Sequence, residues 1–433
     1  MSPLLQRIVA ALGANAFGQA TNIVIQLASL PLFLSRWDVA TYGTWLMLSA
    51  IPAYLSMADV GMVATAGNRM TMAIGRSERG QANAIFQSAL VFMLLACGGI
   101  AAVSLPLAWW APIPGVAGWD ERLALAALVL TVLLALFGGL AEAIFRSTGR
   151  YAQGTMLANG LRLAEWVGGM VGLLIGGTFA TVAMASLVVR AMGVVWMIRQ
   201  SGRGVHPFRW GWRQARLAEV RAMVTPAVSF MAFPLANALS FQGVTLVVGH
   251  LLGPAMVAIF NTYRTLARVA VQLTGIFGHA LWSELSHLYG QGGAQAVASL
   301  YRQSAWIGAA LSVGLSLLLY LVAPWLLQLW THGRIGVQAP LLALLLVYAA
   351  AGGVWHVPRV LLMATNQHVG LAQWTLLAAA LSLGLSWGLG SQLGLEGAGL
   401  AMLASELGIA GVCVFLAHRL TSPHPISQRP VAS

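Results

Sequence analysis

The chain of 433 residues has no lysine, only two cysteines and few charges of any kind: 8% of its residues are charged. Soluble domains carry roughly a quarter. Such sparse charge, with 59% apolar residues and a mean hydropathy of +0.79, excludes a soluble globular enzyme and a disordered chain. Cys97 and Cys413 both lie within apolar runs, which excludes a disulfide framework or a cysteine metal cluster. The nine histidines show no ligand spacing, so no metal is expected. Also missing are a GxxxxGK[ST] phosphate loop, an HExxH pair and a GxSxG elbow. No catalytic residues, no cofactor and no ATP hydrolysis are therefore expected. The apolar runs do not alternate as the strands of an outer-membrane barrel do.

What is present is a succession of apolar windows. A membrane helix needs about 20 apolar residues. Twelve such spans fit, near 13–34, 44–66, 83–109, 122–145, 153–175, 178–198, 222–249, 256–281, 303–323, 340–363, 370–390 and 395–417. The first carries Asn15, Gln19, Asn22 and Gln26, unlike the uninterrupted core of a signal peptide, and is read as a retained helix. The expected fold is an all-α polytopic membrane protein of about twelve transmembrane helices.

All 23 basic residues are arginine, and the formal net charge is +12. Their placement argues against a nucleic-acid partner. With both termini inside, fifteen arginines fall in inner tails and connectors, against three outside (Arg36, Arg122 and Arg334). The positive-inside rule then places both termini in the cytoplasm. Trp37, Trp45, Trp109, Trp110, Trp325 and Trp330 fall near span ends, as an interfacial belt requires.

The longest connector, 199–221, divides the chain into an N-terminal six-helix lobe (1–198) and a C-terminal one (222–417), with a tail at 418–433. The halves echo each other. Gln87-Ser88-Ala89 recurs as Gln303-Ser304-Ala305, an offset of 216, and Thr148 pairs with Thr365, an offset of 217. Six spans per half make the repeat parallel, related by an axis along the membrane normal. Two such lobes suit a central cavity and alternating access.

Charges at membrane depth point to function. Arg162 and Glu165 fall in span 5, Arg190 in span 6, Arg264 and Arg268 in span 8, and Glu406 in span 12. Asp59, Glu142 and Arg359 lie nearer the cytoplasmic ends. A charge at the bilayer centre costs roughly 2.5–3.5 kcal/mol on insertion scales, so these groups face water or partners. Asn261, Arg264, Thr265, Arg268, Gln272 and His279 form one polar stripe, and Asn15, Gln19, Asn22, Gln26 and Ser29 another. Either stripe serves as a wet wall or as interhelical glue; for Arg264 and Arg268, without an acid on their own helix, a cavity is expected. Arg162 and Glu165, one turn apart, either neutralise each other or meet a substrate. Asp59 and Glu142 are left with Arg359 or loop arginines as partners. Glu406 is either a protonatable coupling site or a counter-charge to span 8.

Several local patterns resemble the polysaccharide (O-antigen type) flippases of the multidrug/oligosaccharidyl-lipid/polysaccharide exporter superfamily. They are Asn22, Gln26 and Pro31 in span 1, Ala40-Thr41-Tyr42-Gly43-Thr44-Trp45, Ala58-Asp59-Val60-Gly61 with the basic stretch after it, and Thr148-Gly149-Arg150. The resemblance implies a flippase of the bacterial inner membrane that carries undecaprenyl-pyrophosphate-linked oligosaccharide to the periplasmic leaflet for surface polysaccharide biosynthesis. Membrane lipids surround it, and a polysaccharide polymerase and glycosyltransferases are its expected pathway partners. Arg162, Arg190, Arg264, Arg268, Asn22 and Gln26 are the candidate substrate contacts, and Asp59, Glu165 and Glu406 the coupling or gating groups. The membrane potential, or a proton or sodium gradient, would drive it. The competing readings are a multidrug/cation antiporter of the same superfamily and a membrane polysaccharide polymerase or ligase.

Overall fold

A computed structural model describes residues 3–57, 59–111, 116, 118–203, 207–290, 294–365, 367 and 369–421. Ala58 of the Ala58-Asp59-Val60-Gly61 pattern and the end of the tail, 422–433, lie outside these residues. The described chain is all-α, with no strand. It separates into two compact units, Met1–Ala238 and Leu239–Ser433.

Unit 1 contains α1 (Pro3–Arg36), α2 (Val39–Ala53), α3 (Met62–Gly75), α4 (Arg79–Trp110), α5 (Trp119–Ser147), α6 (Tyr151–Ile175), α7 (Phe179–Ser201) and α8 (Leu217–Ala238). Span 2 is broken between α2 and α3. Pro52 and a 3-10 turn at Tyr54–Met57 end the first piece. The second starts at Asp59, whose carboxylate accepts from the N–H groups of Gly61 (3.2 Å) and Val63 (3.3 Å), satisfying donors at a helix start. Gly61 sits at φ 76°, a conformation open to glycine. At α2, Asp38 caps the start by accepting from Thr41 N–H at 2.7 Å. Tyr42 and Trp45 then pack with Phe33, Trp37 and Phe179 in one aromatic cluster. Trp37 is thus buried, its indole donating to the Gly177 carbonyl at 2.6 Å, and is not part of an interfacial belt. Trp110 and Trp325 are exposed, as a belt requires.

Unit 2 begins with a π-helical turn at Leu239–Gly243. It continues through α9 (Val244–Leu252), α10 (Pro254–Gly290), α11 (Ala294–Thr331), α12 (Ala339–Val354), α13 (His356–Ala364) and α14 (Val369–Thr421). The 53-residue α14 is two spans, not one: it breaks at Gly394, with φ 62° and ψ −137°. Its two halves run back against each other, since Leu371 packs with Ile409 and Cys413. Large apolar side chains such as Leu95, Ile175 and Leu321 point outward, as a lipid-facing surface demands. Close helix contact is made by glycine: a Cβ at Gly172 of α6 would run into the Thr181 carbonyl of α7.

Among the described residues, nine stretches are long and apolar enough to cross a membrane, the last of them, Gly370–Thr421, long enough to do so twice. The two other spans, α6 and α10, are the ones that carry Arg162 with Glu165 and Arg264 with Arg268. The architecture is a polytopic membrane fold of about twelve spans.

The division between units falls in the π turn of span 7, not in the connector 199–221 that the sequence offered as the boundary. The cause is a set of side-chain bonds that fasten the connector to α4. Asn83 donates to the Gln214 side chain (2.8 Å) and accepts from Arg209 N–H (2.8 Å). Gln87 donates to the Arg209 carbonyl (3.0 Å) and accepts from Gln214 N–H (2.6 Å), and Ser88 accepts from Arg216 N–H (2.8 Å). Phe208 and Trp210 stand edge-on to Phe86, and Arg150 donates to the Arg203 and Ser201 carbonyls. The repeat counterparts behave differently: Ser304 is buried, but Gln303 is exposed. Gln87→Leu is expected to lower stability by about 1 kcal/mol, because it removes two part-buried side-chain bonds to the connector backbone. The checks are thermal unfolding in detergent and faster proteolysis within 199–221.

Candidate functional site

The polar interior of unit 1 lies among α1, α2, α5, α6 and α7, around a cavity of about 290 Å³. Ser29, Phe33, Trp45, Arg162, Glu165 and Arg190 are among its lining residues. Arg162 and Glu165 reach it from α6, while Arg190 and Ser186 reach it one turn apart on α7. The sequence offered Arg162 as a same-helix partner for Glu165. Glu165 instead forms an ion pair with Arg190 across the α6–α7 contact. Both partners are largely sheltered, at 19% and 16% side-chain exposure, whereas Arg162 is exposed. The Nε of Arg190 is buried and makes no hydrogen bond. Arg190 and Glu165 therefore offset each other, while Arg162 stands apart at the same cavity as one excess positive charge and the Arg190 Nε is left without an acceptor.

Two residues of the span 1 polar stripe serve as interhelical glue. Asn15 accepts from the Tyr151 hydroxyl at 3.1 Å, and Ser29 accepts from the Trp166 indole at 2.9 Å, both across the α1–α6 contact. Asn22 and Gln26 are half-buried on the same helix, and Asn22 Oδ1 has no hydrogen-bond partner. Asp59 caps α3. Glu142 accepts from the Thr155 hydroxyl at 3.4 Å. Arg359 stacks over the Trp355 ring, 5.4 Å from its centroid.

In unit 2 the two arginines of span 8 divide. Arg264 is 5% exposed. One terminal nitrogen donates to the Phe241 carbonyl at 2.9 Å, and the other donates to the Thr245 hydroxyl at 2.7 Å and to the Asn261 side chain. The π turn explains why that carbonyl needs a donor, since i→i+5 bonding disrupts the regular α ladder. The Thr245 hydroxyl donates to the same oxygen at 2.8 Å. Phe241 and Phe260 present ring faces to the guanidinium at 5.0 and 5.5 Å, a favourable setting for a desolvated cation. Arg264 is thus bound into its own unit as a brace between α10 and the π turn. Arg268, one turn on, is exposed and lies 4.7 Å over the Phe241 ring. The side chain of His279 lies outside the described residues. No sequence pattern announces the π turn, so the brace was not legible beforehand.

Glu406 lies on the second half of α14, where it accepts from the Trp355 indole at 2.7 Å. Trp355 stands at the break between α12 and α13. Together they line a chamber of about 60 Å³ with Ser240, Tyr348, Thr375 and Ser405. That is room for a small number of waters or one ion, against one carboxylate and several hydroxyls.

No protein-family profile and no curated protein sequence matches the chain. Solved structures do match. One is the inward-facing conformation of a multidrug resistance MATE family transporter of the MOP superfamily, with TM-score 0.77, 13% identity, and 92% of this chain and 94% of that one covered. A second is the outward-facing conformation of such a transporter, with TM-score 0.64 and 14% identity over 96% of this chain and 95% of that one. A third is the lipid II flippase MurJ in an inward closed conformation, with TM-score 0.69 and 8% identity over 95% of this chain and 87% of that one. At these identities the likeness is one of fold, and it supports the twelve-span, two-lobe architecture.

The division of span 8 is testable. Arg264→Lys keeps a charge but cannot reach three acceptors in different directions, so it is expected to cost about 1–3 kcal/mol and to lower the melting temperature in detergent. Arg268→Gln, at an exposed side chain, is expected to cost less than Arg264→Lys. Equal losses from both changes would contradict the brace assignment.

Proposed function

We propose that the protein is a flippase. It moves an undecaprenyl-pyrophosphate-linked oligosaccharide from the cytoplasmic to the periplasmic leaflet of a bacterial inner membrane, by alternating access and with both termini in the cytoplasm, for surface polysaccharide biosynthesis. The observation that carries this reading is the unit-1 cavity, whose lining includes Arg162 and Arg190 but a single carboxylate, Glu165, paired with Arg190. A diphosphate and its sugars cannot cross hydrocarbon unpaired, and guanidinium forks match phosphate oxygens in both geometry and charge. Arg268 supplies a further exposed cation in unit 2, with Arg264 holding the turn beside it. Gln26 and Asn22 would meet sugar hydroxyls.

The cargo also has a prenyl tail. The opposite face of α6, with α7, bounds an apolar groove of about 790 Å³ lined by residues including Gly160, Leu163, Val167, Val171 and Val188. One helix pair thus offers a polar pocket on one side and an apolar trough on the other, as an amphiphile requires. Among the proteins that share the fold is a lipid II flippase.

Expelling two negative charges across an inside-negative membrane is downhill by roughly 4.6 kcal/mol per 100 mV. The chamber at Glu406 is the proposed site where a proton or sodium ion couples to that step, with Asp59 and Glu165 acting in the gating of unit 1. A polysaccharide polymerase and glycosyltransferases would act on the same lipid-linked material. A second reading, a multidrug/cation antiporter, is favoured by the TM-score of 0.77 to a MATE transporter and by the Glu406 chamber. Against it, the cavity of unit 1 presents more cationic than anionic groups.

Deleting the gene is expected to strand lipid-linked oligosaccharide in the cytoplasmic leaflet. Arg162→Gln and Arg268→Gln are each expected to slow flipping roughly tenfold, the equivalent of about 1.4 kcal/mol of lost charge-assisted bonding. Stranding is scored by access of the sugars to a periplasmic reagent. Normal surface polysaccharide in the deletion strain, with heightened sensitivity to cationic drugs, would favour the antiporter instead. Glu406→Gln is expected to leave the protein inserted and to remove the dependence of flipping on an ion gradient, measured in proteoliposomes with and without one.

A further inference from the structure

We infer that Glu165 is an internal counter-anion that occupies the place a diphosphate takes, so that binding exchanges one anion for another on Arg190. This rests on the flippase reading and concerns the same cavity. A sheltered guanidinium must be given acceptors, because an uncompensated buried charge costs several kcal/mol, and among the described residues Arg190 has no set of neutral acceptors such as Arg264 has. Glu165 supplies an anion from the facing helix. The pairing is incomplete in two ways. Arg190 retains a buried Nε that makes no hydrogen bond, and Arg162 stands exposed at the same cavity wall rather than in the pair.

A diphosphate has more oxygens than a carboxylate and carries more charge. It could meet Arg162 and Arg190 together and satisfy the unused Nε. Glu165 then swings off Arg190 into the cavity, where its charge opposes the ligand. The displaced carboxylate thus holds affinity in check, and its return to Arg190 assists release. A carrier needs this balance, since interactions that tighten binding uniformly do not speed turnover.

The test uses the purified full-length protein in detergent, with inorganic pyrophosphate as the probe and equilibrium binding as the readout. Glu165→Gln removes the competing charge at nearly constant shape, and it is expected to bind pyrophosphate roughly tenfold tighter than the parent protein while flipping its cargo more slowly. Glu165→Asp draws the carboxylate back by one methylene and is expected to bind about threefold tighter. It decides the matter if the glutamine variant does not fold. In either background Arg162→Gln is expected to remove the gain. Geranyl diphosphate, run in parallel, distinguishes a lipid-borne diphosphate, which binds more tightly than pyrophosphate, from a free one, which binds equally; the Glu165 exchange predicts the same ordering of variants for both. Parent-like or weaker binding in both Glu165 variants, with Arg162→Gln still reducing it, would overturn the exchange and leave the flippase reading standing. Absence of diphosphate binding in every form, the parent included, would overturn that reading itself.

Discussion

A guanidinium inside a bundle of apolar helices keeps its charge and must therefore be given acceptors by the protein. Much of this structure follows from that requirement. With no lysine in the chain, every basic group is a planar fork that cannot be neutralised by losing a proton at ordinary pH. Each arginine at membrane depth therefore needs carbonyls, amides, a carboxylate, an aromatic face or water.

The two units meet the requirement differently. In unit 2, Arg264 is taken up by neutral acceptors: a carbonyl in a π turn, a threonine hydroxyl, an asparagine and two phenylalanine faces. Such a group is committed to holding the chain. In unit 1, Arg190 is met by a carboxylate at the edge of a 290 Å³ cavity, with Arg162 alongside. That pairing is the one proposed to exchange its partner. The same residue type is a brace in one setting and, in the function proposed above, a ligand contact in the other, and the difference lies in whether all its donors are occupied.

The spans were legible because they rest on local chemistry, whereas the breaks inside spans 2 and 10 interrupt runs that read as continuous helix. Runs of about 20 apolar residues mark helices, and the Asp59-Val60-Gly61 pattern becomes a capped restart with glycine at positive φ. What was not legible depends on helices distant in sequence. Glu165 turns to Arg190 instead of Arg162 because the glycine-mediated approach of α6 and α7 brings the second helix within reach. Gln87 and Ser88 read as one half of a repeat, yet their bonds hold the connector, a task that the described residues do not show for Gln303. The separation of Arg264 from Arg268 hinges on a π turn that no composition or period announces. Trp37, read as an interfacial anchor, is drawn inward by neighbouring aromatics on α1, α2 and α7.

The central claim is that the arginine-bearing cavity of unit 1 receives an anionic lipid headgroup. The most direct measurement is transbilayer movement of a fluorescent prenyl-diphosphate sugar in proteoliposomes containing the purified protein, with and without pyrophosphate as competitor. The account predicts movement that the protein accelerates, that pyrophosphate inhibits, and that the combined Arg162→Gln and Arg190→Gln changes abolish. Protein-dependent movement of an organic cation, with the diphosphate lipid left in place, would contradict it.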